Sequence, residues 1–132
     1  YDHAELLRFE ALAASSYEPL AQVARKLKGE LKYHVLHANT WVKRLGTATE
    51  EAITRMQGAL EFTLPYALGI FENTAQEDAI VAEGLFIGED ALRTRWEESI
   101  TRMLSQTALE LPDLRTVAPV LGGRHGQHTE HL

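Results

Sequence analysis

The stretch LAQVARKLKGELKYHVLHANTWVKRL, Leu20 to Leu45, is the longest patterned run in the chain. Leu20, Ala24, Leu27, Leu31, His34, Ala38, Trp41 and Leu45 recur at alternating intervals of four and three residues. On an α-helix that spacing draws one apolar line, the seam of a bundle or coiled coil. Pro19 suits the first turn, where a missing N–H removes no hydrogen bond, and Gly46 supplies the stop. One long helix whose seam needs cover therefore sets the fold class.

The flanking sequence supplies the cover. Residues 2 to about 14 read as a helix with Leu6, Phe9 and Ala13 on one side, interrupted at Ser15 and Ser16. Because Tyr1-Asp2-His3-Ala4-Glu5 already reads as helix interior, the chain is expected to be a fragment. On the other side, Thr47 with Glu50 forms a capping-box pair that opens a third helix. Its inner face runs along Ile53, Met56, Leu60, Leu64, Ala67 and Phe71, and Pro65 is expected to kink it. Thr74 with Glu77 predicts a short helix that stops at Gly84. Glu89 and Asp90, after Gly88, start a last helix along Leu92, Trp96, Ile100, Met103 and Thr107, ending before Pro112. Trp41 and Trp96 both fall on seams and are read as core. No strand-type alternation exceeds four residues. The expected fold is all-α, an antiparallel helical bundle over residues 1–111 with an extended, partner-dependent tail over 112–132.

Composition narrows the function classes. A chain of 132 residues is one domain's worth and buries roughly two-thirds of its unfolded surface. The net charge of −6 disfavours nucleic acid or an anionic membrane as partner, since both require a basic surface. The absence of cysteine removes disulfides, thiolate nucleophiles and zinc–cysteine sites, and suits a reducing cytoplasm. No apolar run approaches the roughly 20 residues a membrane helix needs.

Within the long helix, Glu30, His34 and His37 raise the question of a metal. Di-iron bundles place a Glu-x-x-His pair on each of two helices and a lone carboxylate on each of the other two, so that bridging carboxylates balance the metal charge. Here the residue three before His34 is Leu31, also on the seam. Glu30 lies about 70° round the helix and pairs more naturally with His34 as an i,i+4 hydrogen bond. His34 is thus read as a core histidine, with metal ligation as its alternative, and His37 as a flank residue. Asp2 is read as a solvated or capping carboxylate, the alternative being one that faces the interior. His125, His128, Glu130 and His131 are ligand types, read as parts of an interaction tail. Gly122-Gly123-Arg124 would suit a phosphate, but no strand precedes it and no long helix follows. No Ser/His/Asp arrangement or nucleotide-binding loop is present.

Four stretches taken together carry a family resemblance. KGELKYH (Lys28–His34), WVKRLGT (Trp41–Thr47), LRTRWE (Leu92–Glu97) and above all GGRHGQHTEHL (Gly122–Leu132) resemble the C-type subunits of the bacterial phenylacetyl-CoA epoxidase, or oxygenase. The likeness spans this chain but only the C-terminal half or so of the family's length. It implies a ferritin-like fold and a place in phenylacetate degradation. In that complex iron, oxygen and electrons from a separate reductase epoxidise the ring of phenylacetyl-CoA. The resemblance implies that the catalytic subunit has Glu-x-x-His where this chain has Leu31 to His34, and an Asp ligand where Asp2 stands. Asp2, Leu31 and His34 would then be degenerate di-iron positions. The expectation is a non-catalytic, cytoplasmic structural subunit with no catalytic residue and no cofactor of its own, the iron residing in its catalytic partner. A homodimer or higher oligomer is also expected. Two alternatives stay open: a catalytic di-iron oxygenase using Asp2, Glu30 and His34, and a helical module that only oligomerises.

Overall fold

The computed structural model describes residues 1–127, and those residues are all-α. Five helices follow one another: α1 (Asp2–Leu12), α2 (Glu18–Leu45), α3 (Glu50–Gly69), α4 (Glu77–Ala82) and α5 (Glu89–Leu104). A single 3-10 turn, Gly123–His125, comes after them. None of these helices is long and apolar enough to cross a membrane.

Local chemistry sets the boundaries. Pro19 lies in the first turn of α2, while Lys43 and Arg44 lie in its last turn, where cations complement the helix dipole. The cap of α3 is Thr49, whose hydroxyl oxygen accepts from Ala52 N at 3.2 Å. The expected Thr47 pair is therefore corrected. Thr47 donates back to the Lys43 carbonyl and belongs to the end of α2. α3 continues through Pro65 to Gly69 as one helix. α4 starts at Glu77, whose N–H donates to the Thr74 carbonyl, so Thr74 contributes its backbone rather than a side-chain cap. Gly88 precedes α5 with φ +91°, a conformation that glycine adopts freely. The side chain of Glu77 returns to accept from Glu89 N at 2.6 Å, capping α5 from another helix. α5 ends at Leu104, earlier than the expected Thr107, which lies in the turn that follows.

α1 runs antiparallel to both α2 and α5. His3 near its start reaches Asn39 and Ser99, whereas its end meets Arg25 and its Arg8 meets Glu89. Ala4 and Ala11 are its buried residues, so the helix approaches closely on small side chains, and Leu6, Phe9 and Ala13 are only half-buried. Ala4, Leu64, Leu68, Phe71, Leu92 and Trp96 form the core cluster. The Phe71 and Trp96 rings meet tilted, with centroids 5.3 Å apart. The inner faces expected for α3 and α5 are the ones that pack here.

The long helix departs from expectation. Its inward residues are Ala21, Ala24, Leu31, Val35, Ala38 and Val42, whereas Leu27, His34, Trp41 and Leu45 are exposed. Both sets are apolar in pattern because the apolar arc of α2 is wider than one seam. The described elements cover only one edge of that arc. Trp41 is accordingly corrected from core to surface, with its ring steeply inclined to that of His37 and the Arg44 guanidinium over it.

The segment after α5 is irregular and docks on its own chain. Ala108 N donates to the Gly46 carbonyl, and the Gln57 amide holds the Glu110 backbone through both its N–H and its C=O. Leu109 is buried, and Leu111, Leu114 and Val117 pack against the core. Val120 N then donates to the Pro65 carbonyl at 3.0 Å. His128, Glu130 and His131 lie outside the described residues.

Candidate functional site

Three of the positions singled out for metal, Asp2, His34 and His37, lie along one open groove. Asp2 from the start of α1 lines it with Tyr33, His34, Leu36, His37 and Thr40 from α2. Leu31 does not belong to that lining. It is half-buried on the inward face, as read from the sequence, while His34 is exposed. At 100° per residue the two side chains leave the helix about 60° apart, and the packed edge of α2 takes only the first. The reading of His34 as a core histidine is therefore corrected.

Glu30 is also exposed, and among the described residues no hydrogen bond joins it to His34. No three acidic or histidine side chains among the described residues converge closely enough to hold a metal ion. Asp2 and His34 share a groove, and among the described residues they do not form a ligand set for a di-iron centre.

Among the described residues the half-buried histidine is His3, which sequence reasoning passed over. Its Nε2 lies 2.7 Å from Asn39 Oδ1 and its Nδ1 lies 2.9 Å from Ser99 Oγ. The amide oxygen can only accept, so Nε2 carries a proton, and Nδ1 shares a hydrogen bond with the serine hydroxyl. One imidazole thereby ties α1 to α2 and to α5. Its place three residues before Leu6 was the available signal.

A second cluster sits at the junction of α1, α5 and the C-terminal segment. Glu89 is only 2% exposed at the first turn of α5. Its Oε1 receives Arg8 Nη1 and, at 2.8 Å, Arg124 Nη1. Arg8 also meets Glu5 at 3.2 Å, and Arg124 Nη2 donates to the Ile70 carbonyl at the end of α3. Glu89 Oε2 and Arg8 Nη2 have no protein partner among the described residues. The junction is an ion triad around one buried carboxylate that joins three parts of the chain, with part of its hydrogen-bonding capacity unused among the described residues.

Gly122-Gly123-Arg124 does bind an anion, and the anion is the chain's own. Glu72 accepts from Gly122 N at 2.7 Å through one carboxylate oxygen and from Arg124 N at 3.1 Å through the other. Gly122 (φ +103°) and Gly126 (φ +77°) allow the backbone to fold round it. The Gly122 amide, joined by the Arg124 amide and the nearby His125 and Arg124 charges, holds the Glu72 carboxyl below its ordinary 4.5 against the opposing effect of desolvation. The glycine pattern was legible in the sequence. Its partner, about 50 residues earlier, left no local signal.

The comparisons with known proteins agree on one family. The profile of the family described as "Phenylacetic acid catabolic protein" matches residues 1–132. The chain is also similar to the C-type subunit of the 1,2-phenylacetyl-CoA epoxidase of Escherichia coli (strain K12), with 28% identity over 124 residues. That alignment covers 94% of this chain and 49% of the relative, so the chain spans about half the length of the curated protein it matches. With the profile covering the whole sequence, the chain belongs to the phenylacetic acid catabolic protein family.

Proposed function

We propose that this chain is part of a non-catalytic structural subunit of a 1,2-phenylacetyl-CoA epoxidase, supporting an iron-bearing catalytic subunit in phenylacetate catabolism. Family membership and the likeness to a C-type epoxidase subunit support the pathway. The observation that carries the non-catalytic role is Leu31, an aliphatic side chain on the packed face of α2 one turn before an exposed His34. Iron bound in the partner would supply the oxygen chemistry. This chain's residues would hold helices in place, through the His3 and Glu89 junctions and the docked C-terminal segment. On this reading the subunit works in the cytoplasm and needs no cofactor of its own.

The reading predicts how the complex responds to substitution. Removing this subunit from the purified complex should abolish most ring epoxidation, while Asp2→Asn or His34→Ala within it should leave the rate within about twofold. A loss of a hundredfold or more from either substitution, with assembly intact, would instead favour catalysis through Asp2, Glu30 and His34. The shared groove of Asp2 and His34 is what that second reading has in its favour.

A further inference from the structure

The exposed edge of α2 is an ordered stripe rather than scattered apolar residues. Val23, Leu27, His34, Trp41 and Leu45 succeed one another at intervals of four, seven, seven and four, which keeps them within about 40° of one line along the helix. All five are exposed, Val23 at 53% and Trp41 at 47% among them. The line runs for about 33 Å at 1.5 Å per residue, the length of a helix of about 20 residues. It adjoins the buried arc, so a helix laid there would extend the existing packing. Trp41, between the His37 ring and the Arg44 guanidinium, is a large exposed aromatic, the kind of side chain that anchors interfaces.

Charge decides what fits. α2 carries six basic residues and two acidic ones, a net +4, in a chain whose total is −6, so the rest of the chain carries −10. Lys26 and Arg44 border the stripe on its outer side with His37, and Glu30 is the one acid between them. A second copy packing α2 against α2 would set these cations against their own kind. We infer that the Val23–Leu45 stripe is a docking surface for an amphipathic helix whose apolar line is flanked by acidic side chains. This inference stands on the stripe and its charges and does not depend on the subunit being non-catalytic.

The probes are two fluorescently labelled helical peptides of about 20 residues. They share one leucine stripe, flanked by glutamate in the first and by lysine in the second. Titrated with this chain, the glutamate peptide should bind at least tenfold more tightly than the lysine peptide and should change Trp41 fluorescence. Leu27→Ser combined with Trp41→Ser should weaken it tenfold or more while the helical circular dichroism spectrum is retained, because both side chains reach solvent. Lys26→Glu with Arg44→Glu should reverse the preference between peptides. The inference is overturned by no binding of the glutamate peptide, by equal binding of the two, or by indifference to the Leu27 and Trp41 substitutions. Light scattering that finds a dimer dispersed by Leu27→Ser would also overturn it, in favour of a second copy.

Discussion

Glu89 shows how a residue can matter without belonging to any pattern. Its sequence context marks a helix start and nothing more, yet its carboxylate is buried between two guanidinium groups supplied from far along the chain. Glu89→Ala should cost about 3 kcal/mol in denaturant unfolding, because it removes the buried partner of Arg8 and leaves that guanidinium only its Glu5 contact. Arg124→Ala should cost about 1 kcal/mol, since Arg124 is partly solvated and Arg8 remains with the carboxylate. Equal losses from the two would contradict the geometry of the triad. Glu72 adds a pH signature. Its folded pKa is depressed, so its contact with the Gly122 and Arg124 amides contributes fully above the ordinary 4.5 and is lost as pH falls through the lower folded value. The exchange protection of those two amides should persist to pH 4.5 and fade below it, and Glu72→Gln should remove that dependence. Fading with a midpoint above 4.5 would count against the contact.

At the scale of the element, α3 offers a paired test. A Cβ on Gly69 would overlap the Val120 carbonyl, whereas one on Gly58, in the same helix, meets nothing within 4 Å. Gly69→Ala should lower stability by about 1–3 kcal/mol and expose the C-terminal segment to proteolysis. Gly58→Ala should raise stability by about 0.5–1 kcal/mol through helix propensity. Similar effects from both would mean that the segment does not dock where it is placed. The helices themselves were legible because apolar spacing, the caps at Gly88 and Gly84, and the prolines act locally. What local pattern leaves open is which edge of a wide apolar arc is covered. That choice belongs to the neighbours, so α2 turned Leu31 inward and left His34 and Trp41 outside. The same limit explains why the histidine that does face inward is His3: its partners, Asn39 and Ser99, come from two other helices.

As a whole molecule, the chain is a small core of Ala4, Leu64, Leu68, Phe71, Leu92 and Trp96, closed by polar junctions and wrapped by its own C-terminal segment. The tail that sequence alone left in search of a partner finds one in cis as far as Gln127, since Leu109 and Val117 had apolar surface to cover. The candidate metal positions, by contrast, are spread over a groove edge and a packed face, which supports the proposed supporting role. The most direct measurement is metal analysis of this chain purified from cells supplied with iron and folded as judged by its melt. The account predicts no stoichiometric iron, and iron at one or more equivalents per chain that is lost with His34→Ala would contradict it.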